Sequence, residues 1–490
     1  MEPPAIAADT KIAAYLLDPA DTRYDIAELV NRYTEAELAH TDSDASGQLS
    51  LGDDIAPLAE VAALDALGVA AVAPALTAAL DAQGLVGLAR EVEYPLIGVL
   101  ARMERLGVVV DRVELEALND HLTEEAERLR GEIVAAAGHD FNVNSTPQLR
   151  TVLFEELGLA TQKKTKTGYS TDAASLERIR GTHPIVDALL AYREVEKLRG
   201  TYGQGLLAEV APDGRIHATF NQTVARTGRL SSDRPNLHNI PVRSEEGRRF
   251  RRVFVPSQGR TFLIADYNQI ELRCIAHLAQ DPGLIEAFTS GTDIHNATAS
   301  RVFGVAPEAV TLAQRSKAKM VSYGLAYGME AFGLGQRLSI PTKEAQEILD
   351  AYFDAFPNVK EYMDRTVAEA RERGYTETLF GRRRRIPELS SNVRSVRLAG
   401  ERQAMNAGIQ GLAADIFKVA LVRLDRAFGA GEVDANLVLQ VHDEVICEVP
   451  PAGLERARER VVEIMTGAFE MSVPLAVNVS SGDSWAAAKD

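Results

Sequence analysis

Two apolar, β-branched stretches of this chain run into an aspartate, and 177 positions separate the two aspartates. The first, 261–266, reads TFLIAD and ends on Asp266; the second, 437–449, reads LVLQVHDEVICEV and holds His442, Asp443 and Glu444 at its middle. Runs of this kind predict a buried strand that stops at Asp266 and a strand–turn–strand hairpin with Asp443 at its tip. From 268 to 405 the apolar positions instead recur at helical spacing, broken at Gly291, Pro307, Pro341, Pro357 and Gly374. No internal repeat relates these segments. The chain must build its strands from segments far apart in sequence, around a long helical insertion, which predicts a mixed α/β (α+β) fold.

At 490 residues, with about 150 residues per domain, there is room for roughly three domains. A hydrophobic share of 46% against 25% charged residues excludes a disordered chain. The 53 Lys and Arg against 70 Asp and Glu give a formal charge of −17, which at first argues against a nucleic-acid partner. Divided along the chain, the charge reads differently. Residues 1–93 hold 4 basic and 17 acidic residues, whereas 94–490 hold 49 and 53. Within the latter, 215–260 carries ten arginines against three acids, and 371–403 nine arginines against four glutamates. This distribution predicts a basic cleft on an acidic protein.

Cys274 and Cys447 are the only cysteines and lack metal-ligand spacing, so they read as packing residues in a reducing compartment. The longest apolar run, 67–80, is 14 residues and contains Pro74, short of the about 20 a membrane span needs. The first residues, MEPPAIAAD, lack a basic segment followed by an apolar one. Together these predict a cytoplasmic protein with no membrane partner. Helices are expected at 26–37, 56–66, along 94–130 and over 452–469, and a lysine-bearing polar loop at 161–171.

Two strand-end carboxylates brought together would bind two divalent cations about 3.5–4 Å apart, the arrangement suited to in-line phosphoryl transfer. A lone aspartate after a strand equally serves as a turn or cap. Around residue 320, Arg315, Lys319, Tyr323 and Tyr327 recur every four positions, each about 40° round a helix from the last. Cations followed by aromatics suit a nucleotide, with charge on the phosphates and rings on sugar and base. The same spacing also fits a surface helix with a half-buried aromatic face.

DYNQIELRCIAHL (266–278), RSKAKMVSYGLAYGM (315–329) and QVHDEVICEVP (440–450) resemble the three signature segments of family A DNA polymerases. TGRLSSDRPNLHNIPVR (227–243) and ERQAMNAGIQGLAADI (401–416) are similar to two further segments of that family, and all five stand in its order. The resemblance runs from about residue 6 to 485 and is to the bacterial, Klenow-type large fragment. It implies a right-hand fold with an antiparallel palm sheet and helical fingers and thumb. The implied domains are a truncated, inactive 3′–5′ exonuclease-like domain at 1–93 and a thumb at 94–214. Palm at 215–289, fingers at 290–400 and palm again at 401–490 complete the division.

By the same resemblance, Asp266, Asp443 and the carbonyl of Tyr267 hold two Mg2+ ions, with Mn2+ able to substitute, and Glu444 is a neighbouring acid of lesser role. Arg315, Lys319, His295 and Gln269 contact the incoming triphosphate. Glu271 is the steric gate, with Tyr323, against a ribose 2′-OH. Tyr323 stands where many relatives carry Phe, which implies weak discrimination against dideoxynucleotides. Tyr327 stacks at the templating position, and Arg229, Asn239, Arg402, Asn406, Gln410 and His442 read the primer–template minor groove. His238 departs from the family's usual Gln.

The implied activity is extension of a primer 3′-OH with dNTPs on primer–template DNA, by a monomer, in replication and repair. The proofreading carboxylates are not intact: Asp9 matches one element, but Val61 stands where the tyrosine of the VAALD segment (61–65) would be, so no 3′–5′ exonuclease activity is expected. A single-subunit RNA polymerase, a metal nuclease and a non-catalytic DNA-binding module are the alternatives. The run of four arginines at 382–385 fits a solvated face as well as a DNA contact.

Overall fold

The strand ending at the first aspartate spans Thr261–Tyr267 (β1), with Phe262 to Ala265 buried on both faces. It belongs to a four-stranded sheet with Asn436–Val441 (β2), Glu444–Val449 (β3) and Val477–Gly482 (β4), in the order β2-β3-β1-β4. β2 and β3 form the expected antiparallel hairpin, Val441 opposite Glu444, so His442 and Asp443 make its tip. β1 lies beside β3, and the Tyr267 amide donates to the Asp443 carbonyl at 3.2 Å. The sheet thus ties together a strand end and a hairpin tip that the sequence holds far apart.

This computed structural model describes residues 6–36, 38, 55–161, 164–166, 168–241, 245–326 and 328–486. They fall into two compact units, one formed by the chain up to Arg105 with Phe220–Asp233 and Leu263–Ser480, the other by Leu106–Thr219, Arg234–Phe262 and the segment from Ser481.

In the first unit the helical stretch resolves into Ile270–Ala279 (α1), Pro282–Thr289, Ile294–Phe303 (α2), Leu312–Ala326 (α3), Ala331–Leu338, Thr342–Ala355 and Pro357–Arg373. The breaks expected at Gly291, Pro307, Pro341, Pro357 and Gly374 are present, and two further ones, at Gln280–Asp281 and before Ala331, were not expected. One element was not expected: strands Tyr375–Glu377 and Arg383–Arg385 pair as a short hairpin before the 36-residue helix Arg394–Gly429 (α4). From Gly411 to Val422 every residue of α4 is buried, including Asp415 and Lys418.

Those two charges are answered from elsewhere. The Lys418 ammonium donates to Glu93 at 2.8 Å, Arg382 donates to Asp415 at 2.7 Å and also meets Glu93, and Thr378 donates to Asp415 at 2.7 Å. All four charged side chains are at most 4% exposed. Arg382 is therefore neither a solvated residue nor a nucleic-acid contact but a buried counter-ion. Its neighbours are held too: Arg383 lies over the Tyr375 ring and Arg384 donates to Gln403.

The N-terminal helices are Thr10–Leu17, Ile26–Tyr33 and Ile55–Ala82. The third is far longer than the expected 56–66, because neither Gly68 nor Pro74 breaks the helix. Its stretch Ala59–Ala82 has a mean hydropathy of 1.8 and is long and apolar enough to cross a membrane, which corrects the exclusion drawn from the longest unbroken run. Val72, Leu76 and Leu80 form its buried stripe, and it packs against the two preceding helices.

The expected helix over 94–130 is cut: Tyr94–Leu106, in the first unit up to Arg105, stops at Gly107 (φ 65°), and in the second unit strand Val108–Val110 and then Arg112–Ala137 follow. Val108–Val110 sits between Arg215–Ile216 and Phe254–Val255 in a three-stranded sheet. The long helix and Pro184–Leu198 share a core of Leu129, Ile133, Leu153, Ile185 and Leu189. Trp485 is fully buried, packed edge-on to Phe254 with the Arg251 guanidinium 4.0 Å above its ring.

Candidate active site

At the open end of the four-stranded sheet a cavity of 480 Å3 is lined by Asp266, Tyr267, His442 and Asp443. α1 closes it with Gln269 and Glu271, and α2 with His295. Arg315, Lys319 and Tyr323 come from α3, and Arg229 from the segment before β1. Eleven of the residues singled out in the sequence thus meet in one place, drawn from segments spread over more than two hundred positions. Asn268 and Asn478 line it as well, and nothing in the sequence distinguished them. The three cations among the lining residues face three carboxylates, so the cavity itself is charge-balanced rather than basic.

The carboxylate turns are held at strained backbone. Gln269 (φ 54°) and His442 (φ 59°) both occupy the left-handed region that non-glycine residues avoid, one on each side of the Asp266–Asp443 pair. The turn after β1 is fixed by the Asn268 amide donating to Ala476 at 2.8 Å. Arg273 donates to the carbonyls of Asn268 at 2.8 Å and Pro474 at 2.5 Å. Desolvation pushes the Asp443 carboxyl up. Its own backbone amide, His442 and Arg229 oppose the rise, and Glu444 adds to it. A half-buried carboxylate in that condition gains from a nearby cation. The lining offers two carboxylates, Asp266 and Asp443, beside Tyr267; among the described residues no group of three or more His, Cys, Asp or Glu is placed to hold a metal ion. That set fits Mg2+, which takes one or two carboxylates and completes its shell with water and phosphate.

Opposite, Arg315, Lys319 and Tyr323 share one face of α3, as their spacing predicts. Arg315 donates to Asp293 at 2.7 Å, and Asp293 also caps α2 by accepting from the His295 and Asn296 amides. Burial raises the Asp293 carboxyl, but Arg315 and these amides outweigh it and hold it below its ordinary value. Asp293 is a supporting residue the sequence reading missed, although the D-x-x-N start of a helix was there to be read. Lys319 is exposed and has no carboxylate partner among the described residues. His295 is 3% exposed; burial lowers its pKa to about 4, Asp293 opposing and Lys319 and Arg315 reinforcing, so the imidazole is neutral. Its ring lies 5.7 Å from that of Tyr323, and Gln269 reaches it at 3.5 Å. Glu271, 6% exposed, is held by an ion pair with Arg229.

The other residues lie apart from the cavity wall. Glu444 is buried on β3, one position behind the tip. Arg402, Asn406 and Gln410 form a half-buried stripe at four-residue spacing along α4, with Arg402 paired to Glu330 at 2.9 Å. Asn239 is exposed in the second unit, its carbonyl accepting from the Tyr202 hydroxyl, and His238 beside it is buried. Tyr327 lies outside the described residues. Just after it Gly328 (φ 66°) approaches α4 closely: a Cβ there would sit 3.1 Å from the Arg402 carbonyl oxygen.

Comparison with known proteins places these features. Residues 112–487 match the family model described as DNA polymerase family A. DNA polymerase I of Mycobacterium tuberculosis is 46% identical over 99% of this chain and 54% of its own length. That of Geobacillus stearothermophilus is 45% identical over 98% of this chain and 55% of its own. The chain thus spans about half the length of the curated relatives it matches. Among solved structures, the POL domain of Pol1 from M. smegmatis, in complex with DNA primer-template and dNTP, superposes with a TM-score of 0.91 at 43% identity. That match covers 98% of this chain and 82% of the other.

Proposed function

The chain belongs to DNA polymerase family A, and from that premise we propose that it is a template-directed DNA polymerase serving replication and the filling of repair gaps. The primer 3′-OH attacks the α-phosphate of a deoxynucleoside triphosphate and pyrophosphate leaves. The observation that carries this reading is the single cavity with Asp266 and Asp443 on its sheet wall and Arg315, Lys319 and Tyr323 on its helix wall.

On this reading Asp266, Asp443 and the Tyr267 carbonyl would hold two Mg2+ ions. The chemistry supplied there, when the ions are bound, is a lowered pKa for the attacking hydroxyl and stabilisation of the leaving oxygens. Desolvation is the main cause of the raised Asp443 carboxyl, and Glu444, buried behind the tip, adds a smaller push in the same direction. Lys319, without a carboxylate partner among the described residues, and Arg315, exchanging Asp293 for the triphosphate, bind the phosphates and stabilise charge that develops on them. Neutral His295 and Gln269 donate without adding charge. Glu271, fixed by Arg229, and Tyr323 fill the space beside the sugar where a 2′-OH would sit. His442 and Arg229 face the growing end, and Asn239, Arg402, Asn406 and Gln410 follow the minor groove, which allows a shape check without sequence preference. The thumb is 94–214, the palm 215–289 with 401–490, the fingers 290–400 and the exonuclease-like remnant 1–93. Rotation of α3 toward the sheet closes the site before chemistry.

Primer extension with dNTPs, with NTPs and with no nucleotide tests the proposal against its rivals. Extension by dNTPs alone is expected. Extension by NTPs at equal rate would point to an RNA polymerase, shortening of the primer without nucleotide to a nuclease, and no change at all to a binding module.

A further inference from the structure

A second cavity, of 550 Å3, lies on the other side of α4. Ala413, Ala414 and Phe417 face the Asp443 side of that helix, whereas Val419, Val422, Arg423 and Arg426 line the second cavity. At about 100° per residue the two sets point in opposite directions. The second cavity is therefore distinct from the carboxylate site.

Its chemistry is specific. The base is apolar, and it includes the rings of Phe380 and Phe469, 5.1 Å apart and inclined by 39°. The rim carries Arg90, Arg423 and Arg426 against one carboxylate, Glu91. None of the three arginines pairs with a carboxylate among the described residues. The nearby Asp425 is taken by Arg102, whose guanidinium donates to it at 2.9 Å. Arg423 is steadied by donating to the Gly467 carbonyl at 2.6 Å, which leaves its other N–H groups available. Arg426, in the last turn of α4, also complements the helix dipole. That accounts for one cation and not for three converging on one opening.

Like charges held together without counter-ions favour an anion, and a guanidinium fork matches phosphate geometry. Aromatic rings in the same cavity favour a ligand with a flat face. The volume lies in the range of small-ligand sites, about 300–1,000 Å3. We propose that this cavity binds a nucleotidyl group, its base against Phe380 and Phe469 and its phosphate on Arg423 and Arg426. Free mononucleotide and the end of an unpaired DNA strand both present this chemistry.

Photo-cross-linking with 2-azido-2′-deoxyadenosine 5′-monophosphate, and separately with an oligothymidylate ending in 4-thiothymidine, tests the site. Labelled peptides are mapped by mass spectrometry. Label is expected on 86–92 or on the segments holding Phe380 and Phe469. Arg426→Glu should reduce it about tenfold, the loss of one charge-assisted phosphate contact, with label in the Asp443 cavity unchanged. Arg426 is exposed and makes no side-chain bond among the described residues, so this variant keeps the fold; Arg423→Gln provides the second case. Labelling by the mononucleotide identifies a free nucleotide as the occupant, and labelling by the oligonucleotide alone identifies a strand end. Label confined to the peptides of the Asp443 cavity, or equal labelling of Arg426→Glu, would overturn the proposal.

Discussion

Two groups of charged side chains in the first unit are each balanced by count and yet differ in kind. Glu93, Asp415, Arg382 and Lys418 are buried, and each has an opposite charge within ion-pair distance. The cavity at the sheet end holds Arg229, Arg315 and Lys319 with Asp266, Glu271 and Asp443, but there the pairing is incomplete. Lys319 has no carboxylate partner among the described residues, and the Asp443 carboxyl is pushed up by desolvation. Net charge does not separate structural from functional electrostatics; satisfaction of each group does. A network whose charges are all paired resists change, and one with unpaired charge stores affinity for what will complete it.

The sharpest test of this contrast is to neutralise one acid in each group. Asp443→Asn should lower primer extension by about 10³-fold or more, because charge stabilisation at the reacting phosphate is lost. It should not lower the thermal unfolding midpoint, since the carboxylate it removes is one that burial already disfavours. Full extension by this variant would break the assignment.

Glu93→Gln should do the reverse. It leaves Lys418 and Arg382 short of a counter-charge in a dry interior, which costs about 3–5 kcal/mol of stability, read from urea unfolding. The pH dependence follows from the same carboxylate. Desolvation raises Glu93, but Lys418 and Arg382 outweigh it and bring its pKa down from 4.5 to about 2. The folded state therefore binds fewer protons than the unfolded one between those values. The stability this group contributes is complete above pH 4.5 and is lost as pH falls toward 2. In Glu93→Gln that part of the acid dependence should vanish.

Within the cavity, a smaller effect separates neighbouring hydroxyl and ring contributions. Tyr323→Phe keeps the ring beside His295 and removes only the hydroxyl, which we assign to the triphosphate when a 3′-OH is missing. Incorporation of dideoxynucleotides relative to deoxynucleotides should fall about 10- to 100-fold, the worth of one hydrogen bond to a charged group. An unchanged ratio would remove that role.

The two charged groups also differ in how far they could be read in advance. Asp266, Asp443 and the α3 stripe were legible because each sits in a strong local pattern, a strand end or a four-residue spacing. Only the resemblance to a family joined them. The buried network left no such trace. Lys418 and Glu93 are 325 positions apart, and Arg382 stood in a run of arginines that reads as surface. Asp415 and Lys418 sit on a helix whose other buried positions are apolar or small. Pairing in the interior is a tertiary fact, and a charge gives no period from which to infer it. The long N-terminal helix was legible in type but not in extent. The helix expected at 56–66 and the apolar run 67–80 read as separate features, whereas one helix runs through both and through Pro74.

Asp9 gives the smallest and most discriminating comparison, since the family resemblance and the structure offer it different work. By resemblance it is what remains of a proofreading metal site. In the structure it is the N-cap of Thr10–Leu17, its carboxylate accepting from the Ile12 amide at 2.8 Å. That helix buries Ile12 through Leu17 and places the Tyr15 hydroxyl 2.6 Å from the Ala225 carbonyl, so the cap has something to hold. Asp9→Ala should cost about 1 kcal/mol, and Asp9→Ser or Asp9→Asn should restore most of it, because a cap needs only a side-chain oxygen. A metal carboxylate would not be rescued by serine. Release of nucleotides from a labelled single strand should be absent in all these forms. Degradation by the unsubstituted chain that disappears in both Asp9→Ala and Asp9→Ser would show that the remnant still binds metal.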